Sequence, residues 1–399
     1  YDATRKTTVD AWREFRNKCS KRALVIMPVQ TGELREFAIK NNLFVLNLNK
    51  ELGDAGAGQN ISLLEEVLTW LEPNAPVYGW EQGVSEDQFV ARVSKSGHPM
   101  IPCDWSYNHS LLSLLYEKGR EQVLPRIFDP RSIDFKKKKN FVSFFLSDGD
   151  NIQWMMQDFA SRYYDVPEAE DVKMTFGLPV ATLAMMAPVQ FNNLMGLQKQ
   201  NCSLMEMLGG GYYYVDTYSQ DNNRKTNLRV AAKRLAVSMR QYQIKLLGIM
   251  AMDVKSEAAK EAYQVYVDAN DQLEGIVVLQ YSPYAGGEGE VFWVTNKAGY
   301  DIPVITVKYS LWDRIHEREG SPDFIASKLK EEAQEESFSV VCVHAWSRFE
   351  GDTYGASAAK RCAERLDDRF EAINMQELVW RLRMSRRPEQ TLDYLNKIY

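Results

Sequence analysis

The stretch FVSFFLSDGDNIQW, residues 141–154, changes character twice. Residues 141–146 are aromatic, aliphatic or β-branched except for one serine, which predicts a buried strand. The strand pattern breaks at Ser147-Asp148-Gly149-Asp150-Asn151, and the apolar residues that follow predict the start of a helix. A strand that ends in an acidic turn before a helix is where α/β proteins place their chemistry.

The composition indicates a globular protein. The 399 residues are 45% hydrophobic and 26% charged, which predicts two domains or one large barrel with an addition. The net charge of -6 gives no basic surface for nucleic acid, and no apolar run is long enough to span a membrane. The five cysteines form no C-x-x-C pair, which argues against a zinc site or a disulfide framework. Because the sequence begins at Tyr1 rather than Met, we expect that a signal segment is absent from it.

The first third of the chain alternates between strand and helix patterns. The predicted strands are 22–29, 43–48, 75–80 and 99–105, and the predicted helices are 32–41, 61–71, 85–96 and 110–118. Repeated units of this spacing indicate a parallel sheet. We therefore predict a doubly wound α/β domain over residues 1–135, ending before the basic run 136–139.

Residues 136–399 contain enough strands for a barrel. The predicted strands are 141–146, 173–178, 211–215, 245–250, 275–280, 303–307, 338–343 and 370–373, with helical patterns between them. Eight such strands predict a TIM-like (β/α)8 barrel domain that carries the active site. The third strand is the weakest because the segment 209–211 is Gly-Gly-Gly, so a seven-stranded or distorted barrel is the alternative.

Polar and aromatic side chains follow the predicted strands at the end where barrels have their active sites. These candidates are Asp148, Asp150, Asn151, Tyr212, Tyr214, Asp216, Asp253, Tyr281, Trp312, His344, Trp346 and Glu350. Two aspartates in one turn exceed what a helix cap requires, although either could cap the helix that follows. His344 could equally be a core histidine, and the tyrosines could simply pack in the core.

Residues 209–214, read as GGGYYY, resemble the motif Gly-x-Gly-Tyr-x-Tyr-Pro of the GxGYxYP family of glycoside hydrolases, with Val215 in the place of Pro. The turn Ser147-Asp148-Gly149-Asp150-Asn151 resembles a second marked segment of that family. The resemblance implies an N-terminal α/β domain followed by a barrel-like domain, a carbohydrate substrate, and export from a bacterium that degrades glycans.

Three functions agree with these patterns. In a glycoside hydrolase, Asp148 and Asp150 would form the core of the site, with Asp253 or Glu350 across the cleft. Sugar subsites would be lined by Asn151, Trp154, Tyr212, Tyr214, Asp216, Tyr281, Trp312, His344 and Trp346. No cofactor is expected in that case. In a metal-dependent hydrolase or deacetylase, Asp148, Asp150 and His344 would hold a divalent ion. The third possibility is a glycan-binding protein without catalysis.

Overall fold

The computed structural model describes residues 4–27, 32–48, 57–80, 84–116, 122–148, 150–315 and 319–398. The α-helices are α1 (Thr8–Phe15), α2 (Arg35–Asn41), α3 (Ala57–Trp70), α4 (Glu86–Lys95), α5 (His109–Leu112), α6 (Ile152–Met155), α7 (Pro167–Asp171), α8 (Val180–Met186), α9 (Pro188–Leu197), α10 (Arg224–Gln241), α11 (Glu257–Ala269), α12 (Pro322–Glu331), α13 (Gly355–Glu364), α14 (Met375–Arg386) and α15 (Pro388–Ile398). Short 3₁₀ segments lie at Arg16–Lys18 and Pro130–Ser132, and a π-helical turn at Ala160–Tyr164. Within these ranges, no helix has the length and apolar character needed to cross a membrane.

Two sheets contain the strands. These are β1 (Leu24–Ile26), β2 (Phe44–Leu46), β3 (Val77–Gly79), β4 (Met100–Ile101), β5 (Asn140–Leu146), β6 (Thr175–Leu178), β7 (Ser203–Met207), β8 (Leu246–Ala251), β9 (Gly275–Gln280), β10 (Val291–Thr295), β11 (Asp301–Thr306), β12 (Tyr309–Leu311), β13 (Ser337–Val343) and β14 (Phe370–Ala372). The smaller sheet has the order β2-β1-β3-β4, and all of its strands are parallel. The prediction of a parallel sheet in the first third is therefore confirmed.

The larger sheet is curled. Its order is β10-β11-β9-β8-β7-β6-β5-β13-β12, and only β10 is antiparallel among the described pairs. Only Val307 and Lys308 separate β11 from β12. The Val307 N–H donates to Val278 of β9 at 3.2 Å, whereas the Lys308 N–H donates to Val340 of β13 at 2.9 Å. One continuous segment thus contacts strands on both sides of the curl.

An eight-stranded TIM barrel is not confirmed. β13 pairs directly with β5 over seven residues, from Ser337 opposite Asn140 to Val343 opposite Leu146. This pairing leaves no place between them for an eighth strand. β14, predicted as that strand, instead pairs with residues 140–142 at the start of β5.

The third predicted strand was misplaced. The strand at this position is β7, Ser203–Met207, and the predicted segment 211–215 forms only isolated bridges, at Tyr212 and Tyr214. Leu208 and Gly211 have positive φ values of 55° and 105°, which end the regular strand.

Buried side chains lie on both faces of β5. Phe141 and Phe145 belong to a hydrophobic cluster that also contains Met205, Val277 and residues of the smaller sheet. Val142 and Phe144 belong to a second cluster, which includes many residues of the surrounding helices. The apolar run therefore marks a strand covered on both sides, as parallel sheets require. The domain boundary near residue 135 stays a prediction.

Candidate active site

A cleft of about 620 Å³ lies beside the turn that follows β5. Most of the residues predicted for the site line this cleft. They are Asp148, Asp150, Asn151, Trp154, Tyr212, Tyr281, Trp312, His344 and Trp346. Residues of the first third also line it, and the sequence analysis assigned no role to them. They are Trp80, Glu86, Pro102, Asp104 and Trp105.

The turn after β5 is anchored to its neighbours through the backbone. The Ser147 N–H donates to the Val343 carbonyl at 3.1 Å, and the Ile152 N–H donates to the Pro102 carbonyl at 3.3 Å. Asp148 has a φ of +65°, which an aspartate adopts only in special turns. Asn151 precedes α6 without a side-chain hydrogen bond to the helix. Neither aspartate occupies that capping position.

The two aspartates of the turn have strongly raised pKa values. Burial, followed by repulsion from Asp150 and Glu86, raises the pKa of Asp148 well above its ordinary value. Burial and the charge of Glu86 raise the pKa of Asp150 to about 7. A third carboxyl group therefore lies close enough to influence both.

That third group, Glu86, is the first residue of α4 in the first third of the chain. Glu86 is exposed at the rim of the cleft, yet partial desolvation of its carboxyl group raises the pKa of that group. The Tyr212 hydroxyl donates to Glu86 Oε1 at 3.0 Å and acts in the opposite direction, because it stabilises the carboxylate. The sequence predicts the helix over residues 85–96 but gives no sign that it reaches the cleft.

The glycine motif at 209–214 joins the two parts of the chain. A Cβ at Gly211 would lie 2.5 Å from the Cβ of Pro99, and one at Gly209 would collide with the Glu206 carboxylate. A Cβ at Gly210 would meet nothing within 4 Å. The pattern Gly-x-Gly thus follows from close packing at its first and third positions.

The tyrosines of the motif contact the first third directly. Tyr212 exchanges two backbone hydrogen bonds with Met100, and the Tyr214 N–H donates to Ser94 Oγ at 3.1 Å. Tyr212 is 3% exposed and Tyr214 is fully buried. Tyr214 is not one of the described residues that line the cleft. Tyr212 does line it and donates its hydroxyl to Glu86.

His344 belongs to an aromatic stack on the cleft wall. Its ring lies parallel to Trp312, with centroids 4.4 Å apart, and Tyr284 stacks on Trp312 at 5.1 Å. Burial lowers the pKa of His344 to about 4, so the ring is neutral at physiological pH. Ser347 Oγ accepts the Asp313 N–H and lies 3.2 Å from His344 Nδ1. This arrangement favours donation from Ser347 to Nδ1 and leaves the proton on Nε2.

Besides Tyr214, three residues predicted for the site do not line the described part of the cleft. They are Asp216, Asp253 and Glu350. The Asp216 carboxylate accepts the N–H groups of Met252 and Asp253, so it holds a backbone turn. Asp253 is exposed and accepts the Lys255 N–H at 2.9 Å. Glu350 is exposed, with its carbonyl bonded to Thr353 and Arg361. The structure therefore does not bring Asp253 or Glu350 to the acidic turn.

A catalytic metal ion would need about three converging donor side chains in the described ranges of the chain. In those parts of the chain, no three His, Cys, Asp or Glu side chains are arranged to hold an ion. His344 shares the cleft with Asp148 and Asp150, but its ring is stacked on Trp312.

A solved structure has the same fold. The crystal structure of "a putative hydrolase from Bacteroides thetaiotaomicron VPI-5482" is similar over 96% of this chain and 70% of its own, with a TM-score of 0.79 and 18% sequence identity. At that identity the likeness shows the fold alone. No curated protein matches this sequence.

Two family descriptions match the sequence. Residues 21–114 match "GxGYxYP third domain", and residues 138–383 match "GxGYxYP putative glycoside hydrolase C-terminal domain". The second match spans more than half of the chain and includes both the acidic turn and the glycine-tyrosine motif. The chain therefore belongs to the GxGYxYP family, as its two motifs predicted.

Proposed function

We propose that this protein is a glycoside hydrolase that cleaves a bond of an oligo- or polysaccharide in the cleft. The observation that carries the proposal is the group formed by Glu86, Asp148 and Asp150, three interacting carboxyl groups from both parts of the chain. Glycosidases need one carboxylic acid and one carboxylate beside the bond that they cleave. Asp148 and Asp150 share one turn, so Glu86 supplies the separate element.

The environments of the three groups indicate their roles. Burial and the neighbouring carboxylates favour the protonated form of Asp148, and this suits it to the role of general acid. Burial raises the pKa of Glu86, but the hydrogen bond from the Tyr212 hydroxyl opposes this rise by stabilising the carboxylate, so Glu86 is assigned as base or nucleophile. Asp150 keeps the pKa of Asp148 raised through its charge.

The walls of the cleft suit a sugar. Aromatic rings of Trp80, Trp154, Trp312 and Trp346 line it, and such rings stack on the apolar faces of pyranoses. Several buried polar atoms on the lining residues make no hydrogen bond within the described part of the chain. They are Asp148 Oδ2, Asn151 Oδ1, Trp154 Nε1 and Trp312 Nε1. Hydroxyl groups of a substrate would satisfy them.

Three further features belong to the proposal. The parts divided near residue 135 would be a doubly wound domain and a distorted barrel, which agrees with the pairing of the strands. The protein would be exported, since polysaccharides are degraded outside the cell; fractionation of the source cells tests this. Asn151, Trp154, Tyr281, Trp312, His344 and Trp346 would contact the substrate.

A panel of glycans tests the proposed activity. We expect the wild-type protein to release reducing sugar from at least one glycan, and Asp148→Asn to bind that glycan without cleaving it. Binding without hydrolysis by the wild type would instead indicate a glycan-binding protein. The mechanism uses no metal, so EDTA treatment should leave the rate unchanged. A rate that EDTA abolishes and a divalent ion restores would support the metal-dependent alternative.

A further inference from the structure

Trp105 stands out on the cleft wall because its side chain is 66% exposed. Of the five tryptophans that line the described part of the cleft, only Trp105 and Trp346 are exposed. Trp346 packs on Trp154, with ring centroids 4.9 Å apart. Trp105 makes no ring contact with any described residue. An exposed indole contributes no hydrophobic stabilisation to the fold. Exposed apolar surface beside a groove is typical of a ligand-binding site.

The backbone of Trp105 is held in place by a hydrogen bond, although its ring packs on no other ring in the described part of the chain. Its N–H donates to Gln153 Oε1 at 3.0 Å, and Gln153 Nε2 donates to Asp104 Oδ1 at 3.0 Å. Gln153 is 9% exposed and lies in α6, directly after the acidic turn. The Trp105 loop of the first third is therefore fixed relative to Asp148 and Asp150, so that its ring is already positioned before a ligand binds.

The charge of the cleft restricts the ligand. Besides the proposed general acid Asp148, the described lining contains the acids Glu86, Asp104, Asp150 and Asp158, whereas Arg314 is its one Lys or Arg side chain among those residues. Like charges facing each other without compensation oppose binding. A sugar chain without carboxylate or sulfate groups fits this surface.

We propose that Trp105 is a substrate-binding residue of a distal subsite, where its indole stacks on a sugar unit away from the cleaved bond. The inference rests on the proposed function and deepens it: the substrate is an uncharged oligosaccharide or polysaccharide that extends beyond the acidic group, and not a single sugar. Trp105 sets the preference for chain length because only a longer chain reaches its ring.

The test compares Trp105→Ala with wild type on neutral manno-, xylo-, cello- and malto-oligosaccharides, from disaccharide to hexasaccharide. For the series that is cleaved, we expect KM for the longest chain to rise about tenfold, with KM for the disaccharide and kcat both unchanged within about twofold. Trp105→Phe keeps an aromatic ring and should recover most of the affinity. Tyr116→Ala removes a ring that is 80% exposed but outside the cleft lining, so it should behave as wild type.

Calorimetric binding of the same series to Asp148→Asn, with and without Trp105→Ala, separates this inference from the catalytic proposal. Length-dependent binding that needs Trp105, in a protein that cleaves nothing, would overturn the hydrolase function but support the subsite. Hydrolysis with an equal effect of Trp105→Ala at every length, or with no effect, would overturn the subsite alone. Preferred cleavage of uronate or sulfated chains would overturn the uncharged substrate. Absence of both hydrolysis and binding would contradict both proposals.

Discussion

The left-handed backbone of Asp148 makes asparagine a suitable substitution at this position. Asparagine tolerates positive φ at least as well as aspartate, and its neutral amide resembles the protonated acid. We expect Asp148→Asn to fold normally and to lower kcat by at least about a hundredfold, because the general acid is lost. Asp253→Asn is the control, since Asp253 is an exposed acid away from the cleft, and it should keep full activity. A strong loss in the control variant would return Asp253 to the site.

Asp150 should control the alkaline limit of activity. Its negative charge raises the pKa of Asp148, so a neutral residue there lets Asp148 lose its proton at lower pH. We predict that Asp150→Asn moves the alkaline limb of the kcat/KM profile to lower pH. The residual activity of the variant, measured from pH 5 to pH 9, checks the direction. A limb that stays in place or moves upward would show that Asp148 is not the acid.

Glu206 is a buried acid outside the cleft. It is fully buried at the end of β7 and accepts the Ala181 N–H at 2.9 Å, while burial raises its pKa from 4.5 to about 8. The folded protein therefore holds the proton more tightly than the unfolded chain. The stability that protonated Glu206 contributes is complete below pH 4.5 and is lost as the pH rises through about 8.

We predict that Glu206→Gln, which stays neutral, gains stability relative to the wild type between pH 5 and pH 8. The difference should reach a few kcal/mol at most, because the buried site relaxes in part. Urea unfolding at both pH values measures it. Asp148→Asn serves as a comparison, because the raised pKa of Asp148 also makes the wild type lose stability as the pH rises. A gap between wild type and Glu206→Gln that is independent of pH would contradict this account.

At the scale of elements, the loop between β7 and α10 depends on Gly211 but not on its neighbour Gly210. Gly211 combines a φ of +105° with a Cβ position that Pro99 fills, so we expect Gly211→Ala to destabilise the fold by roughly 2–3 kcal/mol. Gly210 is exposed with free space around it, and Gly210→Ala should change stability by less than about 0.5 kcal/mol. Denaturation midpoints of the pair test the prediction. Equal effects would mean that the loop rearranges.

The same loop shows what the sequence could and could not predict. The apolar run of β5 and its acidic turn were recognisable because strand burial and turn chemistry are local properties. The tyrosines 212–214 predict a strand because aromatic residues are common in strands, but the positive φ values at Leu208 and Gly211 prevent one there. Backbone conformation of this kind is set by packing on Pro99 and Met100, which lie far away in sequence.

Glu86 escaped prediction for a similar reason. Nothing in the sequence around α4 distinguishes an acid in a first helical turn from the many that favour a helix N-terminus. Its neighbours in the cleft become apparent only when Met100 pairs with Tyr212 and brings α4 against the acidic turn. The strand ends in the sequence therefore predict Asp253 or Glu350 as the third acid, and both of these residues are exposed.

At the scale of the whole molecule, the cleft is built by both parts of the chain, and the family motif connects them. Tyr212 bonds to the backbone of Met100 and to the carboxylate of Glu86, so one residue both joins the parts and orients the acid. In the proposed mechanism, the motif acts on the site by positioning Glu86. Activity should depend on Glu86, which lies outside all eight of the predicted barrel strands.

This dependence gives the last prediction. Glu86→Gln should lower kcat by at least about a hundredfold without changing the melting temperature, because it removes the base or nucleophile. Tyr212→Phe should retain more activity, but its acid limb should move to higher pH, since the lost hydrogen bond no longer lowers the pKa of Glu86. Tyr284→Phe controls for loss of a hydroxyl, because Tyr284 lines the same cleft, makes no described hydrogen bond to Glu86 and is not assigned to substrate binding. Full activity of Glu86→Gln, or an unmoved limb in Tyr212→Phe, would exclude Glu86 from the chemistry.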